Sequence, residues 1–473
     1  MGTTDVVVVG AGPTGLMLAC ELALGGVAVQ LLEERTSKPN ITRAFAVHAR
    51  TLELLDARGL AEDLLPRGVP VREFAPPGGA TMNLGALDSR FAMLLIVPQS
   101  GTEQVLQSRA DELGVPIVRG AGVTGLAQDD DGVTVRCADG SSVRAQYVVG
   151  CDGAHSTVRT AVGIDFVGKQ YETHILLADV QLARAPGDTL TGVFNGRGAV
   201  LMIPFGDGWF RAIAWDRTRE QAPLSEPVTF DEIRGSFGRI ANDDYGMTEM
   251  RWSSRFLSER KQASHYRRGR VFLAGDAAHV HSPLGGQGMN TGIGDAMNLG
   301  WKLAAAVRGS APPWLLDRYG GERHPVGESV LRLTDAFNEL VLGRSLVQRF
   351  AQRVAVGALT RVPRTKRYIA ERLSGIGIAY PHAQGEHRMV GRRMPDVDCG
   401  GTRIYELLRE QKFVLMTAAP VDVEIAGVVR AVGADSGLPD AVLVRPDGYV
   451  AWASDRIPAA AQMTAAAHRW LGA

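Results

Sequence analysis

Asp5-Val6-Val7-Val8-Val9-Gly10-Ala11-Gly12-Pro13-Thr14-Gly15 is the stretch whose reading decides the fold. An apolar strand, Asp5–Val9, runs into a glycine turn, and Leu16–Leu24 follows with the composition of a buried helix. Val27–Leu32 is then a second strand, ending at Glu33. Strand, turn, helix and strand make a βαβ unit, which builds parallel sheets covered by helices on both faces. The glycines permit a tight turn and bring backbone close to a pyrophosphate, whose charge sits at the helix N-terminus. Glu33 lies 23 residues after Gly10, where a carboxylate accepts hydrogen bonds from a ribose. The expected dinucleotide cradle is Gly10, Gly12, Pro13, Thr14, Gly15 and Glu33. This stretch alone does not separate NAD from FAD.

A second stretch makes the choice. Val271-Phe272-Leu273-Ala274-Gly275-Asp276-Ala277-Ala278-His279 reads as a buried strand ending in Gly-Asp. Pro283-Leu284-Gly285-Gly286-Gln287-Gly288-Met289-Asn290 is a loop that feeds a helix over Asn290–Val307. An aspartate at such a strand end can accept from a polyol chain. The helix start directs free N–H groups and roughly half a positive charge outward. A reduced flavin is anionic around its pyrimidine ring, so this arrangement favours the reduced, oxygen-reactive state. His279 and His281 read as a structural pair, because no Cys or carboxylate cluster joins them in a metal-ligand pattern.

At roughly 150 residues per domain, 473 residues suggest about three units. With 45% hydrophobic and 22% charged residues, each can build a core. Basic and acidic side chains number 51 each, so no net field exists to hold nucleic acid or an anionic membrane. No apolar run approaches the roughly 20 residues that span a bilayer, and Phe91–Val97 has the length of a buried strand. Met1–Asp5 enters the first strand without the basic region of a signal peptide, and Val6 stands where a myristoylation signal needs Ser or Thr. Cys20, Cys137, Cys151 and Cys399 show no CxxC spacing, which fits a reduced, cytoplasmic protein. Only six of the basic residues are lysine, a bias that points to a GC-rich genome rather than to a function.

Along the chain, Thr51–Leu65 has helical spacing, and Val133–Arg136 with Ser142–Val149 reads as a hairpin. Strands are expected at Ile175–Leu182, Ala199–Ile203 and Trp209–Trp215. Leu315–Ser374 reads as mostly helical, and further strands fall at Phe413–Thr417 and Ala441–Val444. The expected division is 1–170 and 266–388 for the nucleotide domain, 171–265 for a β-sheet substrate domain, and 389–473 for a small α/β domain.

Between the two motifs lies Gly150-Cys151-Asp152-Gly153-Ala154-His155-Ser156-Thr157-Val158-Arg159. In this order the three motifs resemble the single-component (class A) FAD-dependent aromatic hydroxylases with the para-hydroxybenzoate hydroxylase fold. The match is closest to the polyketide and antibiotic branch, that is, angucycline, anthracycline and tetracycline hydroxylases and rifampicin monooxygenase. Arg43–Thr51, Val97-Pro98-Gln99 and Tyr319–Pro325 add local matches. The resemblance implies a Rossmann-type α/β FAD-binding domain with an interleaved β-sheet substrate domain. It also implies a thioredoxin-like C-terminal domain which, lacking CxxC, is structural.

The resemblance carries roles onto particular positions. Glu33 would hold the adenosine ribose, and Gln99 and Asp276 the ribityl chain and pyrophosphate. Arg43 and Pro283 would lie beside the flavin ring, with Met289 and Asn290 at its pyrimidine edge. Asp152 would serve both FAD and the nicotinamide cofactor. Glu34, Val123, Thr157, Gly286 and Gly288 complete the cofactor-binding set. Phe205, Arg211 and Trp215 are candidates for contacting substrate, although strand alternation can equally turn Arg211 outward. No catalytic base is evident.

The implied reaction uses NADPH or NADH and O2, and hydroxylates an aromatic small molecule through a flavin C4a-hydroperoxide. Baeyer–Villiger insertion, epoxidation and antibiotic inactivation on the same scaffold stay open, as does a non-redox cyclase with structural FAD. The sequence leaves the choice between monomer and homodimer open. A flavin halogenase is disfavoured, since Trp209-Phe210-Arg211-Ala212-Ile213 lacks the Trp-x-Trp-x-Ile-Pro pattern.

Overall fold

Val6, Val7 and Val8 are wholly inaccessible because their strand, Gly2–Val9, lies in the middle of a parallel sheet. In the computed structural model, residues 2–37, 44–74, 81–187, 189–282, 285–342, 354–433, 435 and 437–472 are described. The parallel strands run in the order Val271–Leu273, Ser142–Gly150, Gly2–Val9, Val29–Glu33 and Ile117–Arg119. Val133–Cys137 pairs antiparallel with Ser142–Gly150, as the hairpin pattern predicts. Val9 is in register with both Gly150 and Leu32, and Gly150 with Leu273. Four strands therefore end together at one edge, the side on which open α/β sheets bind ligands.

Two helices on this edge begin three residues earlier than the apolar periodicity indicates. One spans Pro13–Leu24, its first position taken by a proline that needs no N–H partner there. The other is the long helix Gln287–Val307, whose first residues, Gln287, Gly288 and Met289, carry no apolar periodicity. The single helix expected over Thr51–Leu65 is instead two, Ala49–Asp56 and Ala61–Leu64. Gly59, between them at a φ of +72°, breaks the run.

A second sheet is antiparallel, in the order Thr191–Asn195, Gly198–Pro204, Trp209–Asp216, Phe166–Leu182, Met247–Ala263 and His279–Val280. The last of its long strands went unread because Met247–Ala263 is mostly polar. Alternation sorts its residues between two faces. Val200, Met202, Phe210, Ala212 and Ala214 pack against Ile233, Phe237 and Ile240 of the helix Phe230–Ala241. The opposite face, with Ile175, Leu177, Ile203 and Ile213, packs on Phe45, Ala46, Val71 and Ile96.

The C-terminal unit is a four-stranded sheet in the order Val428–Val432, Phe413–Thr417, Ala441–Val444 and Val450–Ser454. Its first pair is parallel and the rest antiparallel. Met463, Ala467 and Trp470 of the helix Ala460–Leu471 bury one face together with Trp301 and Leu315 from the rest of the chain. Among the described residues no helix is long and apolar enough to cross a membrane.

Candidate active site

The glycine turn separates into residues needed by the protein and one that the protein does not need. Gly10 has a φ of +102°, and a side chain there would run into the Cys151 carbonyl. One at Gly15 would run into the Gly10 carbonyl. Gly12 differs: its φ of −76° suits any residue, and a Cβ there would meet nothing within 4 Å. It faces open space at the start of a helix that has no side-chain cap. Such a position fits a phosphate drawn close to backbone N–H groups.

Glu33 is buried, with Oε2 accepting from the Ala11 N–H at 2.7 Å and Oε1 from the Arg35 N–H at 3.0 Å and its Nε at 2.8 Å. Burial opposes its charge, but the N–H groups of Arg35 and Ala11 hold it below the usual carboxylate range. Its two oxygens keep further lone pairs beyond these bonds.

Asp276 follows Gly275 at the end of the strand Val271–Leu273, exposed, and no described residue donates to its carboxylate. It sits opposite Gly288 at the head of the long helix, whose N-cap, Gly286, supplies no side-chain acceptor. The N–H groups of Gln287, Gly288 and Met289 are thus left for a ligand. Asn290 is not: its Oδ1 accepts from the His48 N–H at 2.9 Å, and its Nδ2 donates to the carbonyls of Ala46 at 2.9 Å and Gly286 at 2.7 Å. Its role is to tie the helix start to the strand Ala46–His48.

Other expected cofactor residues are also turned to internal work. The Asp152 carboxylate accepts from the Ser156 hydroxyl at 2.5 Å and the Val158 N–H at 3.0 Å, which organises its own loop ahead of the helix Thr157–Ala161. Burial raises its carboxyl above the ordinary value. The Thr14 hydroxyl fits into the notches left by Gly275 and Gly292, so only its backbone faces the cradle. Gln99 accepts from the Ala44 N–H at 3.0 Å and donates to Glu103 at 2.8 Å. Val123 starts the strand Val123–Gln128, and Glu34 is exposed beside Gly122. Arg43 and Pro283 lie outside the described residues.

Three positioning residues were not assigned from the sequence. Buried Asp295 accepts from the Gly275 N–H at 3.0 Å, from His279 Nε2 at 2.6 Å and from Arg323 Nε at 2.7 Å. Burial opposes its ionisation, yet Arg323 and His279 keep it below the usual range. This triad fixes the glycine that presents Asp276. In the sequence His279 reads only as structural, and Arg323 belongs to the Tyr319–Pro325 match without a role of its own. Asp295 carries no motif signal of its own.

Phe205 and Arg211 lie on the sheet face that packs against Phe45 and Ala46, whereas Trp215 packs with Ala199 and Phe194 of its own sheet. Arg211 is fully buried rather than turned to solvent, with Nε 2.6 Å from Asp179 and its guanidinium 5.4 Å from the Phe205 ring, 4.9 Å from Trp252 and 5.8 Å from Phe45. Trp215 donates to Glu220 at 3.0 Å.

Comparison with known proteins places this geometry. The family model for the FAD binding domain matches residues 3–334, and that for the C-terminal domain of aromatic-ring hydroxylases matches residues 387–473. The chain belongs to the FAD-dependent aromatic-ring hydroxylases. It is 42% identical over 462 residues to the rifampicin monooxygenase of Streptomyces venezuelae, covering 95% of this chain and 96% of that one. The solved anhydrotetracycline hydroxylase of Streptomyces rimosus superposes with a TM-score of 0.88 at 38% identity, over 100% of this chain and 99% of its own. The Diels-Alderase of pyrroindomycin biosynthesis superposes at 0.86 with 34% identity, over 100% of both chains.

The hydroxylase is an FAD-dependent monooxygenase, and its C-terminal unit is locked to the flavin domain by buried charge. Arg50 donates to Tyr405 Oη at 2.6 Å and the Asp447 carbonyl at 2.8 Å. Arg58 bridges Glu21 to the carbonyls of Leu408 and Pro446. Arg445 donates to Glu322 at 2.7 Å, and Glu322 also accepts from Lys302 at 2.6 Å. All four cysteines are free. Burial pushes Cys20 up to about 12, Cys399 to about 11 and Cys151 well above the thiol range, so these three stay protonated at neutral pH.

Proposed function

We propose that this monooxygenase hydroxylates an electron-rich ring of a polycyclic aromatic small molecule of the polyketide or antibiotic type. What supports the substrate class is the sheet face on which Phe205, Trp209 and Trp252 surround the buried Arg211–Asp179 pair, opposite Phe45 and Ala46. Trp209 and Trp252, only partly buried, can stack on flat rings, while Arg211 and Asp179 beneath them neutralise each other. The named relatives, acting on rifampicin and anhydrotetracycline, point to the same class.

In this reading Gly12 would receive the FAD pyrophosphate, Glu33 the ribose and Asp276 the polyol chain, and the N–H groups of Gln287, Gly288 and Met289 would meet the pyrimidine edge. The chemistry supplied by FAD, when bound, would be two-electron transfer from NAD(P)H and activation of O2. The chain's own residues stabilise negative charge at the pyrimidine edge, hold the substrate ring on the sheet face and keep water out. One oxygen atom enters the ring carbon and the other leaves as water, with NAD(P)H and a proton consumed. The likeness to a Diels-Alderase favours a second reading, a cyclase in which FAD is structural.

One assay separates them. Candidate polycyclic phenols are added to the purified enzyme, and NAD(P)H loss, oxygen uptake and product mass are followed together. Substrate-stimulated consumption of both, with one oxygen atom gained by the product, supports hydroxylation. Conversion without either cosubstrate refutes it in favour of cyclisation.

A further inference from the structure

We infer that His48 is the positioning residue for the flavin's pyrimidine edge, holding the glycine turn before the long helix in the shape that aims its free N–H groups at the ring. This rests on the placement of FAD proposed above. Gly285 and Gly286 have φ values of +92° and +62°, both in the left-handed region. Two successive glycines have no strong preference for such a pair of conformations, and fixing them costs more chain entropy than fixing any other residue. Something outside the turn must select it.

His48 does so twice. Its Nε2 lies 2.9 Å from the Gly285 carbonyl, which only accepts, so Nε2 carries the proton. Its backbone N–H donates to Asn290 Oδ1 at 2.9 Å, while Asn290 Nδ2 reaches the Gly286 carbonyl at 2.7 Å. Ring, backbone, turn and helix thus form one closed set of bonds. The fit is tight on the near side, since a Cβ on Gly286 would lie 2.9 Å from the Ala46 Cβ and 3.7 Å from His48 Nε2. On the far side Gln287 Nε2 anchors the helix start to the Leu373 carbonyl at 2.9 Å. Burial lowers the imidazole to about 4, so the neutral ring keeps a single donor for this bond at working pH. Loss of the donor frees the turn and turns the N–H groups, with the roughly half positive charge they carry, away from the ring.

The test uses His48→Leu, His48→Gln and His48→Asn in the full-length enzyme. The ring lines a cavity of about 400 Å³, so a leucine fits without displacing backbone. Gln can extend an N–H toward the Gly285 carbonyl, whereas Asn is too short. Apoprotein melting, FAD affinity by fluorescence and the two-electron reduction potential of bound FAD are measured for each. Leu and Asn are expected to weaken FAD binding about tenfold, as one buried hydrogen bond is lost. They are also expected to lower the potential by about 30 mV, a further tenfold lost in preference for the reduced form. Gln is expected to stay within about threefold of the wild type, at the scale of an intact hydrogen bond.

A ring that only fills space would lower melting in all three variants and leave the potential unmoved, and that result overturns the inference. So does a Gln variant as impaired as Asn. If Leu fails to fold, the Gln and Asn pair decides. A wild-type chain that takes up no FAD would instead overturn the placement of the cofactor.

Discussion

Gly12→Ala is the sharpest test of the cradle, because the structure separates its effect on folding from its effect on the cofactor. The new methyl meets no protein atom within 4 Å, and a φ of −76° suits alanine. Alanine in place of glycine restricts the unfolded chain, which stabilises by about 0.4–1 kcal/mol. Gly12 is also the N-cap of Pro13–Leu24, where alanine is worse than glycine by about 0.5–1 kcal/mol. The two terms nearly cancel, so apoprotein stability should stay within about 0.5 kcal/mol of the wild type. In the proposed complex the methyl would occupy the space of closest approach to the pyrophosphate, and crowding of that kind costs about 1–3 kcal/mol, or about 5- to 150-fold in affinity. With FAD at 100 times the wild-type Kd, ligand linkage stabilises the wild type by about 2.7 kcal/mol; a 100-fold weaker variant would gain only about 0.4 kcal/mol. Melting with and without FAD, together with fluorescence titration, reads both quantities. Gly15→Ala serves as the control, since its methyl collides with the Gly10 carbonyl and should destabilise the apoprotein itself. An apo Gly12→Ala chain as unstable as Gly15→Ala, or one that binds FAD normally, would refute the reasoning.

Asp276→Ala removes an exposed carboxylate with no donor among the described residues, so melting of the apoprotein should not move while FAD affinity falls about tenfold, measured by flavin content after gel filtration and by titration. Arg445→Met leaves Glu322 with only part of its buried counter-charge and should cost about 3–5 kcal/mol, visible as a lower melting temperature of the whole chain. His48 has its pKa lowered from 6.5 to about 4 by burial, so its contribution is fully present above pH 6.5 and lost as pH falls through 4. Urea unfolding from pH 7 to pH 4 should show about 3 kcal/mol of acid-dependent loss in the wild type that His48→Gln lacks. Equal slopes in the two proteins would count against a neutral buried imidazole.

How much of this was legible beforehand follows the range of each signal. Asp5–Gly15, Glu33 and Val271–Asp276 announce themselves because a βαβ turn is local: a few neighbouring residues contain the strand, the glycines and the helix start. The family resemblance rests on three such local motifs in a fixed order. Met247–Ala263 was missed because a long strand with polar residues loses its period-two pattern, and pairing with Phe166–Leu182 along nearly its whole length sustains it instead. The division of labour inside the site was equally hidden. Asp152, Asn290 and Thr14 look like ligand contacts in the sequence, yet Ser156, Ala46 and Gly292 take up their polar groups or the space around them.

From its sequence alone this protein determines which strands and turns can receive a dinucleotide, since those depend on backbone freedom and short-range periodicity. Only the tertiary structure decides which side chains remain free to bind it. Each group offers a limited number of hydrogen bonds, and the partners that take them, Asp295 for Gly275 or His48 for Gly285, stand 20 and 237 residues away.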